Sequence, residues 1–229
     1  MKSKLNIIGY PPPSYPIYER LFNFIDNVLP DFEVLSRDNF GNLKNSEDGI
    51  TEDLSEFLDS KQEALMLVSN FSFRFTNQSQ KKTDIGVKWG RVYATNNRDP
   101  FCWIEAKRLP TPNGKNRDER EYVIVSQEKS DGKKKFKGNG GIQRFKEGKH
   151  APRLDYSIMI GYIQDDNNVD CWLSRINTWI TELALVNSDF WNKEDCLDKY
   201  ASNKCDRFIS THKRKDGTKI TLHHYWIKL

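Results

Sequence analysis

Residues 101–109, with the sequence Phe101-Cys-Trp-Ile-Glu-Ala-Lys-Arg-Leu109, decide the fold class. The first four of these residues are apolar without alternation, which is typical of a central strand that is covered on both faces. Residues 156–163 have the same character and predict a second inner strand. The apolar stripe from Trp172 to Ala184 follows helical spacing. Strands and helices are therefore mixed along the chain, which predicts an α/β or α+β fold in one domain.

The same periodicities predict the other elements of the chain. Helical spacing and strand alternation give helices over residues 17–29, from Thr51 and from Gly141, and strands over residues 71–75, 83–89 and 219–227. Thr51 is a favoured N-cap residue, and the acidic residues Glu52 and Asp53 suit the first turn of a helix. Residues 36–50 and 110–140 are polar and are interpreted as loops.

Composition limits the class of protein. The chain has 229 residues, and its 6 Trp, 9 Tyr and 13 Phe can supply a core despite a mean hydropathy of −0.77. It contains no apolar run long enough to span a membrane, and its start is apolar over too few residues for a signal peptide. We therefore expect a cytoplasmic protein. Its four cysteines include no close-spaced pair of the kind that structural zinc requires.

Charge is distributed unevenly along this chain, whose formal net charge is +4. Residues 1–60 contain 5 basic and 11 acidic side chains, whereas residues 105–153 contain 14 basic and 7 acidic ones. The basic segment includes a run of lysines, Lys133, Lys134, Lys135 and Lys137. Clustered cations attract polyanions through counterion release, so this segment favours nucleic acid as the partner. The alternative is that these lysines form a solvated loop.

Three polar residues of the predicted strands carry the chemistry. Asp84 precedes Glu105 by 21 residues, and Glu105 and Lys107 lie on one face of their strand because they are two residues apart. Burial of a carboxylate and an ammonium group is costly unless they pair or engage a metal. Two carboxylates and a lysine are the components of a magnesium-dependent phosphodiester hydrolase. The alternative is a structural Glu-Lys pair.

The arrangement resembles the PD-(D/E)-x-K nuclease superfamily, which has the restriction-endonuclease-like fold. The matching pieces are Glu52 on an early helix, Thr83-Asp84 in the PD position, and Glu105-Ala106-Lys107 as E-x-K. Thr83 stands where the motif has proline, and the resemblance covers about residues 50–165. It implies a mixed central β-sheet flanked by helices, with the site at the edge of the sheet.

The resemblance also implies a role for each matching residue. Asp84, Glu105 and the Ala106 carbonyl would bind Mg²⁺, with Mn²⁺ as a substitute, and Lys107 would be the catalytic lysine. Glu52 would be a further metal ligand or would hold a metal-bound water. Glu52 has an alternative role as a first-turn acid that favours the helix dipole.

A glycine-rich segment, Gly138-Asn-Gly-Gly141, precedes the predicted helix at Gly141. Such glycines can bring free backbone N–H groups at a helix N-terminus to a phosphate. Gln143 resembles a glutamine that some branches of the superfamily place in the active site, and we expect Arg144 to contact phosphate. Nucleic-acid contacts are expected from Lys146 and Lys149 as well. The alternative is that this is a surface helix docked by its apolar residues.

Taken together, these features predict a Mg²⁺-dependent nuclease, and the resemblance favours a DNA endonuclease of the restriction or anti-phage type. Residues 1–50 would form a helical lead-in, residues 51–165 the nuclease core, and residues 166–229 a C-terminal helix and closing strand. Double-stranded DNA is the expected substrate, and cutting both strands would require two sites, as in a homodimer. A noncatalytic nucleic-acid-binding module on the same fold is the first alternative, and a partner-binding protein is the second.

Overall fold

The computed structural model describes residues 15–32, 47–64, 71–76, 84–89, 99–112, 118–128, 134–137, 140–202 and 204–229. Within these residues the α-helices are α1 (Tyr15–Val28), α2 (Glu47–Ala64), α3 (Gly141–Lys146) and α4 (Val169–Val186). The strands are β1 (Phe71–Phe75), β2 (Ile85–Trp89), β3 (Cys102–Leu109), β4 (Val125–Glu128), β5 (Lys134–Lys137), β6 (Tyr156–Ile163), β7 (Asp198–Lys199), β8 (Asp206–Lys213) and β9 (Lys219–Lys228). No helix in these ranges has both the length and the apolar character needed to cross a membrane.

Seven of the strands form one mixed sheet in the order β1-β2-β3-β6-β9-β8-β7. The three inner strands β3, β6 and β9 run parallel to one another, and the outer pairs are antiparallel. Strands β4 and β5 form a separate antiparallel pair. The inner strands are buried along most of their length, as the apolar character of residues 101–104 and 156–163 predicts for β3 and β6.

Helices cover both faces of the sheet and divide the core into two layers. Residues of α1 and α2 pack with Ile104 and Ala106 of β3 on one face. Residues of α3 and α4 pack with Trp103 and Leu109 on the other face. This alternation along β3 is the two-residue period of a strand. The prediction of a mixed sheet flanked by helices is therefore confirmed.

Two predicted boundaries differ from the structure. Helix α2 begins at Glu47, so Thr51 lies inside the helix and its hydroxyl donates to the Glu47 carbonyl at 2.7 Å. The prediction of Thr51 as the N-cap was wrong because Glu47 and Asp48 already supply an acidic first turn and Ile50 is buried in the core. The interpretation of residues 110–140 as a loop was wrong for β4 and β5.

Polar side chains form a continuous hydrogen-bonded chain in the core on the α3 side of the sheet. Asp195 Oδ1 lies 2.7 Å from His212 Nδ1, and Ser210 Oγ lies 2.7 Å from both His212 Nε2 and His224 Nε2. The series continues from His224 Nδ1 to the hydroxyl of Tyr122 at 2.8 Å. Burial lowers the pKa of both histidines, which keeps the imidazoles neutral.

Only one arrangement of protons satisfies this chain when both imidazoles are neutral. His212 Nδ1 must donate to the Asp195 carboxylate, so His212 Nε2 accepts from Ser210. His224 Nε2 then donates to Ser210, and His224 Nδ1 accepts from Tyr122. The Asp-His-Ser spacing thus resembles a hydrolase triad, but Ser210 is only 3% exposed and is hydrogen-bonded on both sides. We interpret the chain as structural.

Lys146 lies at the Asp195 end of the polar chain. The prediction that it contacts nucleic acid was wrong. Its side chain is fully buried, and Nζ donates to both oxygens of Asp195 at 2.7 and 2.8 Å. Burial lowers the pKa of Lys146, whereas His212 and Lys146 outweigh burial at Asp195 and lower the pKa of that carboxyl group. The position of Lys146 in a predicted helix does not show that its side chain points into the core, because its partner Asp195 lies 49 residues away in the sequence.

Lys146→Met should lower the free energy of unfolding by about 3–5 kcal/mol, because it leaves a buried carboxylate without its cation. Urea unfolding of the variant at neutral pH measures this loss. Lys149→Met is the matched control, since the Lys149 side chain is 55% exposed and its partner Glu147 also accepts a hydrogen bond from Gln143. A loss no larger than that of the control would contradict a structural role for Lys146.

Candidate active site

The site lies on β3, on the face that carries α3, and at the neighbouring ends of β2 and α2. Strand β3 provides Glu105 and Lys107, which are both buried and on one face, as the sequence predicts. Asp84 directly precedes β2, the antiparallel neighbour of β3. Helix α2 provides Glu47 from its first turn. The three sequence-predicted residues therefore converge, and a fourth residue that was not predicted joins them.

The Lys107 ammonium group lies among oxygen atoms from three residues. Its Nζ atom donates to Glu47 Oε1 at 2.9 Å and to the Ala106 carbonyl at 2.8 Å, and it lies 3.1 Å from Glu105 Oε1. Burial alone would lower the pKa of Lys107, but the nearby carboxylates outweigh burial and raise it well above its usual value. Lys107 is therefore a fixed positive charge in a buried acidic pocket.

Asp84 is tied to β3 through the backbone. The Ala106 N–H group donates to Asp84 Oδ2 at 2.7 Å, which fixes the carboxylate beside the E-x-K segment. Removal of hydration by the surrounding protein and repulsion from Glu105 raise the pKa of Asp84 to about 8, although Lys107 and the Ala106 N–H group act in the opposite direction. Thr83, the residue before Asp84 in the predicted motif, lies outside the described residues.

Glu105 has cationic or imidazole neighbours on both of its oxygens. Arg144 Nη1 of α3 donates to Oε1 at 3.1 Å, and His150 Nδ1 lies 3.2 Å from Oε2. Burial acts to raise the pKa of Glu105, but Lys107, His150 and Arg144 outweigh it and lower the pKa below the usual value. Arg144, predicted as a phosphate contact, is thus held at the site, with 29% of its side chain exposed.

Glu47, and not Glu52, is the helical carboxylate that reaches this cluster. Glu47 Oε1 accepts from Lys107, and its Oε2 accepts from the Arg108 backbone N–H group at 3.3 Å. Glu52 is exposed and lies five residues further along α2, which places it about 140° around the helix. Assignment of Glu52 as a site residue was therefore wrong, and the carboxylate at the site lies about 1.4 turns earlier in α2. The sequence signal for the earlier helix start was the helical spacing of the apolar residues Ile50, Leu54 and Leu58, which are all buried in the structure.

The N-terminus of α3 does not offer free N–H groups to a phosphate. The backbone N–H groups of Gly141, Ile142 and Gln143 donate to the carbonyls of residues 121–123 at 2.9–3.1 Å. Gly140 is needed for close packing, because a Cβ there would lie 2.2 Å from Ile124 Cα. The predicted phosphate-binding role of this glycine-rich entry was therefore wrong.

Gln143 is buried beside the site but is directed away from its carboxylates. Its Nε2 donates to Glu147 Oε1 at 3.1 Å, and its Oε1 accepts no hydrogen bond from the described residues. A catalytic role for Gln143 stays a prediction. Nucleic-acid contacts of the lysine run also stay predictions, since Lys133 and the side chains of Lys134, Lys135 and Lys137 lie outside the described residues.

The chemistry of the donor set fits Mg²⁺. Three carboxylates and a backbone carbonyl supply hard oxygen ligands, and Mg²⁺ needs few protein ligands because it retains several waters. Across the described residues, no three His, Cys, Asp or Glu side chains already surround a point suited to a metal ion. Instead, Lys107 Nζ lies among these oxygens, and Glu105 Oε2 accepts no well-formed hydrogen bond. The residues able to hold a cation are therefore Asp84, Glu105, Ala106 and Glu47.

Comparison with protein-family models, curated proteins and solved structures finds no match for this chain. The interpretation of the site therefore depends on its residues and their geometry.

Proposed function

We propose that the chain is a Mg²⁺-dependent nuclease of the restriction-endonuclease-like fold, with DNA as its substrate. The observation that carries the proposal is the convergence of Asp84, Glu105, Lys107 and Glu47 at one site, although they come from three separate elements. Glu105 and Lys107 are buried there, and Asp84 and Glu47 are half-buried. Carboxylates that are buried together cost free energy unless cations compensate them. A protein without use for the pocket would gain stability from apolar residues at these positions.

The residues of the site have two roles in phosphodiester hydrolysis: the oxygen ligands hold the metal, and Lys107 acts on the water. When bound, Mg²⁺ would supply the positive charge needed to activate a water molecule and to offset the charge of the transition state. Asp84, Glu105, Glu47 and the Ala106 carbonyl would hold it. Lys107 orients the attacking water and stabilises negative charge through a fixed ammonium group.

Arg144 is a second cation at the site among the described residues, and unlike Lys107 its side chain is partly exposed to solvent. Its guanidinium group is bound to Glu105 and is partly exposed, so it can exchange that contact for an oxygen of the scissile phosphate. It would thereby place the phosphate next to Glu105 and Lys107. By resemblance, a nuclease of this kind would act in restriction or anti-phage defence.

A cleavage assay on supercoiled plasmid, single-stranded DNA and RNA tests the proposal. Each substrate is incubated with Mg²⁺, with Mn²⁺ and with EDTA. We expect cleavage of DNA with either metal and none with EDTA. Tight binding of DNA without cleavage under any of these conditions would favour the noncatalytic module instead.

A further inference from the structure

The turn between β8 and β9 carries a group of exposed lysines. Lys213, Lys215 and Lys219 are all exposed, and the register of the two strands places Lys213 directly opposite Lys219. Like charges at directly opposed positions destabilise a strand pair. Neither Lys213 nor Lys219 forms an ion pair with the part of the chain that the structure describes. Solvent ions or an anionic partner would relieve the repulsion between Lys213 and Lys219.

Buried polar contacts hold this turn in one conformation. The buried Arg214 donates from Nη2 to the carbonyls of Ala151 at 2.9 Å and Leu154 at 2.6 Å, and from Nη1 to the Lys219 carbonyl at 3.2 Å. Asp216 accepts from the backbone N–H group of Thr218 at 3.0 Å and from its hydroxyl at 2.6 Å. A backbone fixed in advance loses less conformational entropy when a ligand binds to it.

The turn is joined directly to the helix that reaches the candidate active site. The Lys215 backbone N–H group donates to the Lys146 carbonyl at the end of α3 at 3.1 Å. Lys215 Nζ also lies 3.9 Å from Glu147 Oε1, next to the helix that holds Arg144 against Glu105. The exposed cations of the turn and the catalytic pocket are thus connected through one short helix.

The segment that Arg214 holds contributes a further exposed cation. Arg153 is exposed and has a backbone φ of 66°, in the left-handed region that non-glycine residues rarely adopt. Such a conformation is strained and persists where the surroundings enforce it, often at functional sites. Arg214 enforces it here through its bonds to the carbonyls of Ala151 and Leu154.

We propose that Lys213, Lys215, Lys219 and Arg153, here named the hairpin patch, bind the phosphate backbone of double-stranded DNA. A rigid array of exposed cations favours the polyanion of highest charge density, and a DNA duplex carries about one negative charge per 1.7 Å of its axis. The choice of DNA rests on the proposed function, for which the patch would hold the substrate against the α3 side of the pocket. Its contacts carry affinity without sequence information.

The salt dependence of DNA binding tests the hairpin patch. The affinity of the wild-type chain for a duplex of mixed sequence is measured with EDTA present, so that no cleavage occurs, between roughly 50 and 200 mM KCl. In the triple variant K213Q/K215Q/K219Q, the slope of log K against log salt should become shallower by about 2–3, because each lost contact removes about 0.9. K215Q alone should remove about 0.9 of the slope.

The matched control removes the same charge from another part of the surface. R20Q/K199Q/K204Q replaces three exposed cations, of which Arg20 lies on α1, the helix that covers the other face of the sheet. We expect this control to keep the wild-type slope. Equal slopes for the two triple variants would overturn the hairpin patch, and so would tighter binding of the wild-type chain to an RNA duplex than to DNA.

Separate measurements of DNA binding and of cleavage distinguish failure of the hairpin patch from failure of the proposed function. If the wild-type chain cleaves no substrate but the two triple variants differ in slope, the nuclease assignment fails and the hairpin patch stands. If the wild-type chain cleaves DNA and the slopes are equal, the hairpin patch fails and the nuclease assignment stands. Melting curves of all variants confirm folding, and removal of like charges at Lys213 and Lys219 should not lower stability.

Discussion

Lys107→Met should reduce metal-dependent DNA cleavage at least a hundredfold, which corresponds to about 2.7 kcal/mol of activation free energy. The substitution keeps the aliphatic stem but removes the ammonium group that contacts Glu47, Ala106 and Glu105. The loss follows because no other described lysine lies at the pocket to orient the water or stabilise negative charge. Cleavage of plasmid by the purified variant at saturating Mg²⁺ measures it.

A second variant separates the loss of chemistry from a loss of folding. Lys107→Met leaves Glu105 and Glu47 with less positive charge around them, which lowers stability. E105Q/K107M removes one charge of each sign and should therefore melt closer to the wild-type chain while it stays inactive. Lys61→Met is the surface control, since Lys61 pairs with the exposed Asp31. Wild-type activity in Lys107→Met or in E105Q/K107M would remove the nuclease assignment.

Glu47→Gln should lower the cleavage rate about tenfold or more and raise the Mg²⁺ concentration needed for half-maximal activity. Glu47 places a carboxylate within 2.9 Å of the Lys107 ammonium group, and glutamine keeps the volume of the side chain while removing its charge. The rate is measured as a function of Mg²⁺ concentration, beside a melting curve.

Glu52→Gln is the matched control on the same helix. Glu52 is exposed and points away from the pocket, so its replacement should leave both the rate and its Mg²⁺ dependence unchanged. A larger effect at Glu52 than at Glu47 would restore the assignment made from the sequence and would contradict the geometry of α2.

The central strands and the core of the site could be predicted because local pattern determines them. Residues 101–104 are apolar without alternation and most of residues 156–163 are apolar, a pattern that favours strands covered on both faces. Glu105 and Lys107 share a face through the two-residue period of a strand, independently of the remaining fold. The position of Asp84 on the neighbouring strand follows from antiparallel pairing of β2 with β3.

Other features depend on partners distant in sequence and could not be predicted from local pattern. Strand β8 was missed because its buried positions include Arg207, Ser210 and His212, which are polar residues satisfied by side chains from other elements. Lys146 has the composition of a surface cation and becomes a core residue only through Asp195. Glu47 could be assigned to the site only if the first residue of α2 was known, and helix boundaries are weakly determined by sequence.

Plasmid cleavage by the wild-type and Lys107→Met chains, measured side by side as Mg²⁺ is raised from zero, tests the nuclease assignment most directly. We expect cleavage by the wild-type chain to rise from none to a plateau and to be abolished by EDTA, with the variant remaining near zero throughout. Cleavage that does not respond to Mg²⁺, or that is equal in the two chains, would contradict the assignment.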